Sequence, residues 1–530
     1  MTDAKETIEN GTAVIGIELG STRIKAVMAD GAGAILAKGE FAWENHFVDG
    51  IWTYGLDEAW TGLQQCYAAL RKDVKERYGI ELRRVAAIGI SGMMHGYLPF
   101  DGEGRQLAPF RTWRNNMTGD AAAVLTKLFQ YNIPQRWSIA HLYHAILQEE
   151  PHVGEVRFLT TLAGYVHWKL TGQKCLGIGE ASGMFPMDIA ARDYNGNMLD
   201  QFDELVRGKG FAWNLRDILP KVLVAGEPAG KLTEEGAKLL DLSGNLAPGI
   251  PLCPPEGDAG TGMVATNSVR VRTGNISAGT SAFAMLVLEK ELSRVYENLD
   301  MVTTPSGKLV AMAHSNNCST AINAWANIFH ECLAAFGVEK TPSEVYETLF
   351  RQAEKGEEDC GGLMAYCFYS GEHGVGLSQG CPMFLHPAKA KFSLANMMRM
   401  QIYTAFAAMK LGIDTLLKTE GAKIDRVIGH GGIFKTPGVA QKILAAALNT
   451  PIAVMETAGE GGAWGIALLA AYSLRDDELP LEDYLENHVF RKFHATEVQP
   501  DAAEAAGYEQ FIRQYKKYLK VESLAAELSS

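Results

Sequence analysis

An α/β protein of two similar domains facing one cleft is what this sequence predicts, and three observations predict it. Strand-like apolar runs alternate with amphipathic helical segments along the chain. At 530 residues, 47% of them hydrophobic, the chain is too long for one ordinary core. A strand, a turn of glycine and hydroxyl residues and a second strand occur twice, about half a chain apart.

The first of these hairpins lies in "IGIELGSTRIKAV", 15–27, where apolar runs at 13–19 and 24–29 flank Gly20-Ser21-Thr22 and Glu18 leads into the turn. "LDEAWTGLQQCYAALRKDVKERYG" predicts an amphipathic helix over 56–79, and "RRVAAIGISG" a buried strand over 83–92. "TGNISAGTSAFAMLV", 273–287, repeats the hairpin around Gly279-Thr280-Ser281. Helices are expected over about 393–418, 437–448 and 461–474. In "RVIGHGGIFKTPGVAQKILAAALNTPI", 426–452, a strand and a glycine turn precede a helix expected to start near Thr436-Pro437, since proline suits a first helical turn. The opening glycines there form "GHGG", which does not fit a GxGxxG dinucleotide fingerprint. Between the two motif-bearing halves, "TNSVRVR" at 266–272 sets the expected division into domains 1–267 and 268–530.

A formal net charge of -13 argues against a nucleic-acid or anionic-membrane surface, because phosphate backbones are bound by clustered Lys and Arg. An anionic ligand must then be held locally, by backbone N–H groups, helix N-termini or a bound cation. No run of about 18 apolar residues suggests a membrane span. The opening "MTDAKETIENG" lacks the pattern of a secretory signal. The eight cysteines are scattered without a CxxC pair. A cytoplasmic location is therefore expected, with neither a disulfide framework nor a zinc site.

Glycine lets a backbone approach a ligand closely, and successive N–H groups with hydroxyls make an anion-binding concavity. Two such turns are suited to gripping one polyphosphate, although each taken singly is also an ordinary tight hairpin. "PPEGDAGTGMVATN", 254–267, sets Asp258 between glycines just ahead of the second hairpin, where a carboxylate is placed to orient and deprotonate an attacking hydroxyl. His95 follows Met94 in a glycine-flanked loop, offering a polar ring and an apolar partner for a sugar, or else serving as a buried structural histidine. In "FRTWRNNMTGD", 110–120, Trp113 offers an apolar face and Asn115 an amide for hydroxyls, and an ordinary core tryptophan is the competing reading.

On these motifs the chain resembles the FGGY family of carbohydrate kinases, within the actin-like ATPase superfamily. The resemblance runs nearly end to end: Glu18 to Lys25 match a first phosphate hairpin, Ile90 to Gly96 a sugar loop, Asp258 the base, Gly279-Thr280-Ser281 a second phosphate hairpin, and "GHGGIFKTPGVAQ", 429–441, an adenosine motif. It implies two RNase H-like domains with ATP in the cleft. It also implies ATP contacts from Gly20, Ser21, Thr22, Lys25, Gly279, Thr280, Ser281, Gly431, Gly432, Lys435 and Gln441. Sugar contacts are implied for Met94, His95, Trp113, Asn115 and Asp258, and Mg²⁺ contacts for Glu18 and Asp258. The family's usual Asp is Glu18 here, the usual Gln of the sugar loop is Met93, and Glu180 stands for the acid of a "SDASGT" segment.

Segments similar to the xylulokinase and ribulokinase branches imply ATP-dependent phosphorylation of a ketopentose. A small sugar is the expected partner and a homodimer the candidate assembly. Two other readings compete: a non-catalytic regulatory protein of the same fold that binds ATP and sugar, and an actin-like ATPase or chaperone without a small substrate. Small residues at Gly461, Gly462 and Ala463, in "METAGEGGAWGIALLAAY", are explained by close packing alone.

Overall fold

A computed structural model describes residues 2–455 and 461–529; residues 456–460 of the segment just quoted lie outside them. The chain forms two compact units. The first comprises Met1–Val269, Met301–Val310 and Glu460–Lys492, the second Arg270–Asp300, Ala311–Gly459 and Phe493–Ser530.

In the first unit, β1 (Val14–Leu19) and β2 (Arg23–Ala29) form the expected hairpin, and β3 (Ile35–Ala42) extends it antiparallel. Helix α1 (Leu56–Tyr78) carries Asp57 and Glu58 in its first turn and Lys75 and Arg77 in its last, matching the helix dipole, and Gly79 ends it at φ +73°. Its buried stripe of Leu63, Tyr67, Leu70 and Val74 joins Ile15, Ile17 and Ile24 in one core, each aliphatic contributing roughly 1.5–3 kcal/mol by burial.

Strand β4 (Ala87–Gly92) begins later than the 83–92 predicted. Its ladder starts where β1 starts, with Val14 opposite Ala87, and Arg83 and Arg84 before it are exposed. A short helical turn α2 (Ile178–Ala181), strand β5 (Glu256–Gly257) and helix α3 (Asp258–Ala265) follow. The sheet order is β5-β4-β1-β2-β3, with β1–β4 and β4–β5 parallel.

The second unit repeats this plan. Strands β6 (Thr273–Ala278) and β7 (Ala282–Val287) form its hairpin, and β8 (Leu309–Ser315) follows. Helix α4 (Leu394–Asp414) continues into a π-helical turn over Thr415–Thr419, filling the predicted span. Then come β9 (Arg426–His430), α5 (Val439–Leu448) and β10 (Ile452–Met455). Five neighbouring strands of a seven-stranded sheet run β8-β7-β6-β9-β10, with β6–β9 and β9–β10 parallel. Helix α5 starts after Gly438, whose φ of +86° breaks the helix expected from Pro437.

The chain returns to the first unit as α6 (Gly461–Tyr472), an almost wholly buried helix packed on β1, β4 and α3. All eight cysteines are free. Among the described residues no helix is long and apolar enough to cross a membrane.

Candidate active site

Three chain segments of the first unit converge: Glu18 near the end of β1, Asp258 at the start of α3, and the opening of α6. Glycines permit the approach. A Cβ on Gly16 would stand 2.0 Å from the Ala463 carbonyl oxygen, and one on Gly465 2.0 Å from that of Thr261. The close-packing account of this small-residue segment therefore holds, and it has a further effect at Glu18. The Ala463 N–H donates to Glu18 Oε2 at 3.2 Å, and a Cβ on Gly462 would meet Glu18 Oε1 at 2.5 Å. The longer acid thus rests on the positive end of a helix of 12 residues.

Burial raises the Glu18 carboxyl from its ordinary 4.5 to about 7; Asp258 adds to the rise, and Lys25, its partner across the hairpin, opposes it. Asp258 is also raised, by burial, against the N–H groups of Met94 and Ala259. Both side chains keep partial solvent access. A buried carboxyl whose proton affinity a neighbouring carboxylate raises further fits a divalent cation. Mg²⁺ in particular takes oxygen ligands, keeps several waters and needs one or two protein carboxylates beside substrate phosphates. Glu18 and Asp258 are the pair that would hold it; among the described residues no group of three or more His, Cys, Asp or Glu is placed to cage a metal.

The loop after β4 is tied directly to Asp258: the Met94 N–H donates to Asp258 Oδ1 at 3.0 Å. His95 is buried at φ +71°, a conformation that L residues adopt rarely, and its Nδ1 lies 3.1 Å from the Gly183 carbonyl oxygen. A carbonyl only accepts, so Nδ1 carries the proton. Met93 is buried in the core and adds no polar group. Trp113 is 40% exposed, leaving an aromatic face available, while Arg114 stacks on Trp52 at 3.9 Å.

Asn115 differs from expectation. Its Oδ1 accepts from the Trp52 N–H at 2.9 Å, and its Nδ2 donates to the carbonyls of Trp52 at 2.8 Å and Thr112 at 3.0 Å. The amide is thereby committed to holding backbone together. Glu180 is fully buried, and burial first, then Asp258 and Glu256, keep it well above the usual carboxylate range. A Cβ on Gly257 would stand 2.3 Å from Glu180 Oε2, so this acid packs directly against the backbone that leads to Asp258.

The two glycine–hydroxyl turns share a device absent from their sequences. In the first unit, the Gly20 carbonyl accepts from Trp43 Nε1 at 2.7 Å, that of Ser21 from the Tyr54 hydroxyl at 2.6 Å, and that of Thr22 from the Trp43 N–H at 3.2 Å. In the second unit, the Gly279 carbonyl accepts from the Ser319 N–H at 3.1 Å, that of Thr280 from Cys318 N–H at 2.9 Å, and that of Ser281 from Gly279 N–H at 2.9 Å. Every turn carbonyl is occupied. What each turn can present is N–H groups and hydroxyls, the complement of an anion.

Also in the second unit, Gly431, at φ +106°, lies against the hairpin: a Cβ there would be 2.3 Å from the Ala278 carbonyl oxygen. Gly432 and Lys435 are exposed, and a Cβ on Gly432 would meet nothing within 4 Å. Gln441 departs from the expected ATP contact. It is buried, and its Nε2 donates to the carbonyls of Ile452 at 2.8 Å and Thr496 at 2.7 Å, clamping α5 to the sheet.

Comparison with known proteins bears on the family and the fold. The N-terminal domain of the FGGY family of carbohydrate kinases matches residues 13–264 and its C-terminal domain residues 274–474. The xylulose kinase of Haemophilus influenzae is 23% identical over 469 residues, which is 86% of this chain and 89% of that protein. Two solved structures from Lactobacillus acidophilus share the fold. A ligand-bound xylulose kinase gives a TM-score of 0.80 at 16% identity over 98% of this chain and 100% of that one; a gluconate kinase gives 0.79 at 17% over the same shares. The chain belongs to the FGGY family: it is a carbohydrate kinase of two α/β domains that phosphorylates a sugar using ATP and Mg²⁺.

Proposed function

We propose that the enzyme transfers the terminal phosphoryl group of ATP to a hydroxyl of a ketopentose, xylulose or ribulose, with Asp258 as general base. The observation that carries this reading is the 3.0 Å hydrogen bond from Met94 N–H to Asp258 Oδ1, which sets a carboxylate beside the His95 loop. The choice of a ketopentose is supported by the relatives named xylulose kinase. The gluconate kinase neighbour shows that fold alone does not select the sugar.

In this reading Met94, His95 and the exposed face of Trp113 bind the sugar, and Asn115 acts by fixing the backbone of Trp52. Asp258 accepts the proton as the hydroxyl oxygen attacks the γ-phosphorus, the bond to ADP breaks, and the sugar phosphate forms. The turns at Gly20–Thr22 and Gly279–Ser281 and the Lys25 side chain take phosphate oxygens; Gly431, Gly432 and Lys435 take the adenosine. Mg²⁺ would neutralise charge on the phosphates beside Glu18 and Asp258. Sugar-side residues then lie within 1–267 and adenosine-side residues within 268–530, which we take as the functional domains. Eight free thiols suit a reducing cytoplasm.

The test is ADP release across ketoses, aldoses and polyols, for wild type and Asp258→Asn. A ketopentose should stimulate release most, and Asp258→Asn should lower it by orders of magnitude while ATP still binds. Near-normal turnover in that variant would remove the base assignment.

A further inference from the structure

Glu256, two residues before Asp258, is buried, and its carboxyl faces away from the strand it belongs to and onto α2. Its Oε2 accepts from the Glu180 N–H at 2.8 Å and its Oε1 from the Gly179 N–H at 3.3 Å. The backbone reinforces the link, since the Gly177 N–H donates to the Pro255 carbonyl at 2.8 Å. On its other side Glu256 pairs with Ser91 in β4, and Gly257 with Gly92, immediately before the Met93–His95 loop. The segment that receives the carboxyl continues to Gly183, whose carbonyl fixes the His95 ring.

We infer that Glu256 is a positioning residue for phosphoryl transfer, its carboxyl locking the Asp258 loop to the Gly177–Gly183 segment so that the base and His95 keep one register. This rests on the reading of Asp258 as base. The sequence around the contact is shaped by it. A Cβ on Gly177 would stand 2.2 Å from Glu256 Oε1, and one on Gly179 2.4 Å from Glu256 Oε2. At both positions the three nearest atoms that a Cβ would meet belong to the Glu256 side chain. The carboxyl is thus the first obstacle that a side chain at either glycine would meet.

The experiment compares Glu256→Ala, Glu256→Gln, Gly179→Ala, the Glu256→Ala/Gly179→Ala double variant and Asp258→Asn, using ADP release with the most active sugar of the panel, well below each melting temperature. Glu256→Ala and Gly179→Ala should each lower kcat at least tenfold and raise the sugar KM, with the ATP KM within twofold. Glu256→Gln, which keeps one acceptor, should recover part of kcat. The double variant should be no worse than Glu256→Ala, because the clash is gone. Glu256→Ala within twofold of wild type in kcat and sugar KM, with Asp258→Asn inactive, overturns the positioning role alone. Additive losses in the double variant overturn it as well. An active Asp258→Asn removes the base, and with it this inference, whatever Glu256→Ala does.

Discussion

The carboxyl of Glu18 sits on the first turn of the helix that begins at Gly461, with Ala463 N–H donating to its Oε2 at 3.2 Å. The extra methylene relative to the family's usual aspartate is thus taken up by contact with a helix end, and the group remains beside Asp258.

Replacing Glu18 by Gln keeps an acceptor for Ala463 and removes the charge. A carboxyl raised to about 7 contributes stability that is full below its unfolded value of 4.5 and is lost as pH rises through 7. At pH 8, Glu18→Gln should therefore melt at or above the wild-type temperature. It should also need several-fold more Mg²⁺ for half-maximal ADP release, as read by Mg²⁺ titration; an unchanged requirement would separate Glu18 from the metal.

Two glycines with opposite surroundings should give opposite phenotypes. Gly465→Ala drives a Cβ into the Thr261 backbone and should cost about 1–3 kcal/mol or more, as such overpacking does, seen as a lower melting temperature. Gly432→Ala meets nothing and should fold normally. If adenosine lies on that backbone, its ATP KM rises roughly tenfold in steady-state kinetics; an unchanged KM moves the adenosine elsewhere.

Gln441→Leu removes two hydrogen bonds, to the carbonyls of Ile452 and Thr496. About 1–3 kcal/mol of stability should be lost by chemical denaturation. The ATP KM should stay within twofold, and a selective rise in KM would return Gln441 to the nucleotide site.

His167 is fully buried with its Nε2 donating to the Ala229 carbonyl at 2.8 Å, and burial lowers it from 6.5 to about 4. Its Nδ1 has no hydrogen-bond partner among the described residues, so a second proton has nowhere favourable to sit. The unfolded chain takes that proton near 6.5, and the stability held above this pH is lost as pH falls towards 4. His167→Gln should show a smaller drop in melting temperature than wild type between pH 7 and 4. An equal drop would assign the acid sensitivity to other groups.

Periodicity and turn chemistry made both hairpins, the helix after Leu56 and the later helices legible, because those signals are local. Pairing and backbone angles were less so: β4 starts at Ala87 because β1 offers no partner earlier, and Gly438 rather than Pro437 decides where α5 begins. Motif residues singled out Asp258 and the loop after β4, which a hydrogen bond joins, and the same motifs implied ligand contacts for Asn115 and Gln441, whose amides bond to backbone. Trp43 and Tyr54, which hold the first turn, lie more than 20 residues from it with no spacing to mark them. Glu256 was hidden for a related reason: only its direction, towards Gly179, distinguishes it from an ordinary acid near a turn.

Five strands run in the same order in the sheets of the two units, around one glycine–hydroxyl turn each. The props under the two turns differ, since an indole and a phenol serve one and main-chain amides of residues 318–319 the other. A replacement at Trp43 or Tyr54 thus strips the supports from one turn and leaves those of the other in place.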